Sequence, residues 1–479
     1  MSLKQKAVSG VKWTTFSSVI VAILQIVQLV ILARLLEPTV FGLMAITSVV
    51  IGFAQAFLDM GISNAIIHKQ EVSHTQLSSL YWLNVLSGIV LFLIVSLCAP
   101  VVALFYQEAE LTNIIILVAM TFLIQPFGQQ FIVLWQKELK FNDIAKVDIL
   151  TKLVALIVSI VFAYYNYGVY ALVYGVLAGT ILQTLVFVYK GLREYTISFV
   201  FRLSDVREFL SFGLYQMAEK TLNYFNSQID TLLIGKLLGV ETLGVYNIAK
   251  QIIMKPIQII NPIVSKVTFP VMAKIQNDTD RLKEIYLKTI NLLSSINFPI
   301  YLFMLITAPQ LVPLMFGEQW VDAVIILQIL SIYGALRSIG NPVGSLLLAK
   351  GRADWGFYWN LGLFFYVPIV IYLFSRAGIE TLSWGMVGIM VSLITPMWYL
   401  LVRPLVQAKF WEFHKQIATP AFISMLIGVV ISIVLNSLSH LSSFMTLFLT
   451  GIIISLGVLI LNYLFNKQLI HFLRRTLYL

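Results

Sequence analysis

Apolar runs about as long as a bilayer is thick recur along this chain from residue 10 almost to its end. A hydrocarbon core of about 30 Å takes about 20 apolar residues to cross as a helix. Lipid offers no water to stray backbone groups, so only helices and closed barrels span it. The alternating pattern of a barrel strand is absent here. The chain is therefore read as an all-α polytopic membrane protein. Composition agrees: 59% of the 479 residues are hydrophobic and only 11% are charged, against about a quarter charged in soluble domains. That balance excludes a soluble enzyme, a disordered chain and a nucleic-acid binder, although the net charge is +10.

We place about fourteen spans, at roughly 10–34, 40–64, 77–105, 111–136, 143–165, 167–189, 208–236, 242–273, 284–307, 321–348, 355–375, 379–402, 416–436 and 442–465. With the N-terminus in the cytoplasm, 23 of the 32 lysines and arginines fall in cytoplasmic segments. Three (Arg34, Lys236 and Arg376) fall in outer loops, and six lie inside spans. The positive-inside rule then predicts that both termini are cytoplasmic. The opening MSLKQKAVSGVKW precedes an apolar run without a small-residue cleavage site, so the first span is expected to be retained. The single cysteine, Cys98, can form no disulfide within the chain, and the five histidines lack ligand spacing. Neither a metal site nor a cofactor is expected. The loops are short, and no Walker motif or paired-carboxylate constellation stands in them. The chain is expected not to be an enzyme, and any energy for work must come from a gradient or a partner.

The sequence repeats itself. ARLLEPTVFGLM (33–44) aligns without gaps on GKLLGVETLGVY (235–246) at an offset of 202, so that Gly42 meets Gly244. A weaker echo joins LFYQEAELTNIIIL (104–117) to LMFGEQWVDAVIIL (314–327), with Glu108 meeting Glu318. The repeat unit is about six helices. An even number inserts both halves with the same orientation, as a parallel repeat about an axis along the membrane normal.

Charges inside spans are costly, about 2.5–3.5 kcal/mol each at a helix centre on insertion scales, so each needs a partner or a wet cavity. The embedded cations are Lys152, Lys220, Lys250, Lys255, Lys266 and Arg337, five of them in spans seven, eight and ten. The embedded acids are Asp59, Asp148, Glu219 and Asp230. Asp148 and Lys152, spaced i,i+4, are expected to pair. In span seven, Gln216, Lys220, Asn223, Ser227 and Asp230 share one helical face. Span eight adds Gln251, Gln258 and Asn261, span one Gln25 and Gln28, and span two Gln55. These faces predict a wet cavity between two bundles. Lys220, Lys255 and Arg337, with Lys250 and Lys266 nearby, are its candidate substrate-binding cations. Asp230, Glu219 and Asp59 are its candidate coupling-ion sites. The bland alternatives are that Lys250 and Lys266 snorkel to the interfaces, that Asp59 is simply solvated, and that Glu219 only neutralises Lys220 or Arg337. Fixed cations with amide side chains suit a large anion with a hydrogen-bonding body, such as a phosphate- or diphosphate-bearing sugar. Proline interrupts several spans, notably Pro126 beside Gln125, Gln129 and Gln130, and bends there are expected.

Over about 450 residues the chain resembles Wzx-type polysaccharide (lipid-linked oligosaccharide) flippases of the MATE/MOP exporter superfamily, in the colanic-acid and teichuronic-acid branch. The resemblance is carried by KQKAVSGVKWTTFSSVI, LARLLEPTVFGLMAI, LDMGISNAIIHK and IDTLLIGKLLGVETLGVYNIAKQI. It implies two parallel six-helix bundles, at 1–190 and 208–402, joined by a basic cytoplasmic linker at 191–207. Helices 13 and 14 with a cytoplasmic tail (403–479) would follow and seat a polyprenyl tail. It also implies export of undecaprenyl-diphosphate-linked repeat units across the bacterial inner membrane by alternating access. An H⁺ or Na⁺ coupling ion, membrane lipids and a polysaccharide polymerase or chain-length regulator would be its partners. Two other readings stay open: a cation-coupled drug or metabolite exporter of the same fold, which the cationic cavity disfavours, and a membrane polysaccharide polymerase or ligase, which would want a larger outer loop with catalytic charges.

Overall fold

A computed structural model describes residues 3–58, 66, 72–202, 221–437 and 442–466. Among these residues the secondary structure is helical, with no strand. The helices are α1 (Leu3–Leu35), α2 (Pro38–Leu58), α3 (His74–Tyr106), α4 (Glu110–Ile124 and Pro126–Lys137), α5 (Phe141–Tyr164) and α6 (Val169–Glu194). There follow α7 (221–237), α8 (Val240–Lys274), α9 (Thr279–Phe316), α10 (Asp322–Ala349), α11 (Ala353–Ser375), α12 (Ile379–Val406), α13 (Phe410–Ser437) and α14 (Ser443–Phe465). Among the described residues, eleven helices are long and apolar enough to cross a membrane, or up to twelve when the two arms of α4 count as one span. The expected fourteen are thus not all reached. Only the second part of span seven is described, and α8, though 35 residues long, is diluted by Lys250, Lys255, Lys266 and its amides.

The chain divides into two compact units, Met1–Gly244 and Val245–Leu479. In the first, α3 packs on α4, α4 on α6, and α5 on both α1 and α6. Its core joins Leu80, Tyr81, Val85, Phe131, Trp135 and Phe187. In the second, α9 packs on α10, α10 on α12, and α11 on α12. Three pairings therefore recur six helices later, as a six-helix repeat requires. α13 and α14 pack on each other and on α9, around Ile423, Ile427, Ile431 and Ile454. Outward faces are apolar: Leu104 is 80% exposed and Leu97 77%. Such faces would be aggregation-prone in water and are ordinary against lipid.

Local chemistry sets the helix ends. Ser73 caps α3: its hydroxyl accepts from the Gln76 N–H while the Gln76 side chain accepts from the Ser73 N–H, both at 3.2 Å. Asp278 caps α9 by accepting from the Arg281 N–H at 3.1 Å. The α1–α2 and α7–α8 turns carry the sequence repeat, and they meet each other within the first unit. A Cβ on Gly42 would strike the Val240 carbonyl, and one on Gly244 would strike the Pro38 carbonyl. Since residues 38 and 240 are themselves equivalent at the offset of 202, the contact is reciprocal. Small residues are what allow membrane helices to approach this closely.

One expectation changes and one is met. Asp148 accepts from the Gln183 amide of α6 at 3.3 Å and makes no ion pair with Lys152, whose side chain is exposed. The neighbouring helix offers Asp148 a closer partner than the next turn of its own. The expected bend in span four is present: the arms of α4 meet at 50°. Pro126 has no N–H for the Phe122 carbonyl. Gly88 of α3 sits against that carbonyl and against the Pro126 ring.

Candidate substrate-binding site

The polar side chains that the sequence put on cavity faces are described unit by unit. Asp59, Glu219 and Lys220 lie outside the described residues. In the first unit, Gln25 is partly buried and partnered. Gln28 donates to Ser159 of α5 at 3.2 Å, so it ties α1 to its neighbour. Gln55 donates to Gln125 at 3.0 Å, at the bend of α4. α7 lies against α2 and α3. The Tyr224 hydroxyl donates to the Ser48 carbonyl at 3.1 Å, the Phe53 and Phe225 rings meet edge-on at 5.4 Å, and Tyr106 donates to the Leu232 carbonyl at 3.1 Å. Along this helix the polar stripe changes character. Asn223 is exposed, Ser227 is partly buried, and Asp230 is only 4% exposed, accepting from the Thr231 N–H at 2.8 Å. A carboxylate at that depth is held by backbone and by further partners.

In the second unit, Lys250, Gln251 and Lys255 are partly buried, whereas Gln258 and Lys266 are exposed. Asn261 is fully buried. It donates to the Ser338 carbonyl at 3.2 Å and accepts from Asn297 at 3.4 Å, so it joins α8 to α10 and α9. Helical spacing placed Asn261 on a polar face, but spacing alone does not separate a face turned to water from one turned to a polar neighbour. Arg337 is partly buried, and its guanidinium donates to the Tyr333 hydroxyl at 2.6 Å from one turn along the same helix. The Tyr301 hydroxyl of α9 donates to the Ile253 carbonyl of α8 at 2.7 Å, and Gly334, next to Tyr333, accommodates the Tyr301 ring.

The described residues thus bring Arg337 together with Tyr333, with the Tyr301 ring against the neighbouring Gly334. Among the described candidates, the first unit holds amides and one buried carboxylate, and the second holds Lys250, Lys255, Lys266 and Arg337. Tyr333 and Asn84 did not stand out in the sequence. The signal for Tyr333 was its i,i+4 spacing to Arg337. Asn84 stands alone in an apolar stretch and had no such marker.

These elements define a class: a polytopic, all-helical membrane protein built on a six-helix repeat with polar groups inside its spans. Solved structures agree on the fold. Across 97% of its length the chain is similar to all of the lipid II flippase MurJ in an inward closed conformation, with a TM-score of 0.76 at 14% identity. Across 80% it is similar to 94% of an inward-facing multidrug resistance MATE family transporter of the MOP superfamily, with a TM-score of 0.62 at 17% identity. The chain belongs to the polysaccharide biosynthesis protein family, whose sequence model matches residues 31–325. It is 34% identical to the lipopolysaccharide biosynthesis protein WzxC of Escherichia coli, covering 89% of this chain and 87% of that one. It is also 34% identical to the teichuronic acid biosynthesis protein TuaB of Bacillus subtilis, covering 92% and 91%.

Proposed function

We propose that this chain exports lipid-linked oligosaccharide repeat units, carried on a polyprenyl diphosphate, across the bacterial inner membrane for surface polysaccharide assembly. It is a transporter, not an enzyme. The observation that carries the reading is the 34% identity, over about nine-tenths of the chain, to proteins named for making two different bacterial surface polymers. The fold it shares with a lipid II flippase supports it.

The chemistry is consistent with this cargo. A diphosphate is multiply anionic at neutral pH, and taking it bare into hydrocarbon is prohibitive. Lys220, Lys255 and Arg337 would lower that cost in a hydrated path, while the prenyl tail stays in lipid. Lysine is a flexible, well-hydrated point charge and suits transient contact. A mostly apolar groove of about 410 Å³ on α9 and α13, lined by Leu302, Ile306, Met425, Val429 and Ile433 with Ser432 and Asn436, would offer such a tail a surface. Alternating access would be driven by H⁺ or Na⁺ through Asp230 or Glu219, and the delivered unit would pass to a polymerase with its chain-length regulator. Both termini would face the cytoplasm.

The test is a deletion strain. It should lose surface polysaccharide and accumulate the lipid-linked precursor, and the parent chain should reverse both. Normal surface polysaccharide without the gene, or no reversal by the expressed chain, would refute the reading.

A further inference from the structure

The bend in α4 opens a polar cavity within the first unit. It has a volume of about 200 Å³, and its polar lining consists of the side-chain amides of Gln55, Asn84, Gln125, Gln129 and Gln136, beside Pro126. Among the described residues, no cation or carboxylate lines it. It lies between α2, α3 and the second arm of α4, toward the helix ends next to Lys137 and His74. Gln55 and Gln125 hold each other. Asn84 is more than nine-tenths buried, lines the cavity, and has no hydrogen-bond partner among the described residues. Its amide is therefore left to whatever fills the cavity. The proline that makes the bend, the glycine that lets α3 close on it, and the amides around it together form a built site.

We infer that this cavity binds one neutral sugar ring of the carried glycan. The inference rests on the transport reading above and adds a place where sugar, as distinct from diphosphate, is recognised. Each amide presents two donor hydrogens and an acceptor oxygen, and each sugar hydroxyl both donates and accepts. A set of amides therefore matches a polyhydroxylated ring in both donors and acceptors, whereas to a phosphate it offers donors but no opposite charge. The volume is below the roughly 300–1,000 Å³ of pockets for drug-sized ligands, so it holds a single ring rather than an oligosaccharide.

Cysteine labelling tests this in the full-length protein in lipid nanodiscs, with Cys98→Ser as background. Asn84→Cys and, separately, Gln129→Cys should react with a small charged methanethiosulfonate reagent. The glycan-bearing polyprenyl diphosphate, extracted from cells lacking the transporter, should slow labelling at both sites by about threefold to tenfold, the range expected for one or two hydrogen-bonded contacts. Polyprenyl diphosphate without sugar should not protect. In cells, the Asn84→Leu, Gln129→Leu variant should lose export at parental protein level. The inference is overturned if neither thiol reacts, if the sugar-free lipid protects equally, if labelling is unprotected (a water-filled cavity only), or if the double variant exports like the parent. Failure of the parent chain itself to restore surface polysaccharide would instead refute the transport reading.

Discussion

At Arg337 the structure adds a residue to the expected chemistry. Its guanidinium is held by the Tyr333 hydroxyl at 2.6 Å and lies 5.7 Å from that ring's centre. A restrained cation presents a fixed charge, whereas a free one spends entropy on each encounter. Arg337→Ala should abolish export. Tyr333→Phe keeps the ring and removes the hydroxyl, and should lower export about threefold to tenfold, the equivalent of one charge-assisted bond. Surface polysaccharide per unit of transporter measures both; parental export by Arg337→Ala would end its role as a substrate cation. Lys255 makes a different prediction, because a point charge tolerates exchange. Lys255→Arg should retain more export than Lys255→Ala, and the reverse order would point to packing instead. Asn261 is expected to act on stability. Asn261→Ala leaves the Ser338 carbonyl and the Asn297 amide short of a partner, and should destabilise the protein by about 1–2 kcal/mol, read as a lowered melting temperature in detergent with the residual folded protein still exporting. Asp230→Asn keeps the shape and removes the charge. It should reduce export at normal protein level if this buried acid is where the coupling ion binds, and full export would eliminate it.

Between elements, the decisive contact is the reciprocal meeting of the two repeated turns. Gly42 abuts the carbonyl at the start of α8, and Gly244 abuts the carbonyl at the start of α2. Backbone cannot retreat as a flexible side chain can, so Gly42→Ala and Gly244→Ala should each push the helix starts apart, at about 1–3 kcal/mol. Because both substitutions act on one crossing, the double variant should fall short of the sum. Thermal unfolding of the three variants checks this, and strict additivity would mean the two glycines do not share a contact. The bend of α4 was legible from Pro126, and its amide neighbours were visible too. What the cluster encloses was not, because Asn84 and Gln55 reach it from other helices.

For the whole molecule, the topology follows from charge and can be checked directly. Reporter fusions after Glu108 and Glu318 should be active only outside the cytoplasm, and a fusion after Arg281 only inside; one reversed site breaks the fourteen-span arrangement. The all-helical, membrane-spanning class and the six-helix repeat were readable because they depend on local quantities: the length of an apolar run and a motif that recurs at one offset. Hydrocarbon enforces these on every segment separately, since each must satisfy its own backbone before it meets a neighbour. The destinations of the polar side chains were not readable in the same way. Gln28, Asn261 and Asp148 carry the same spacing signal as residues turned toward a cavity, yet they bond Ser159, Ser338 and Gln183 on adjacent helices. A helical period says which residues share a face and is silent on what that face meets. Only tertiary packing decides whether an amide inside a membrane span faces another helix or a space that a sugar can enter.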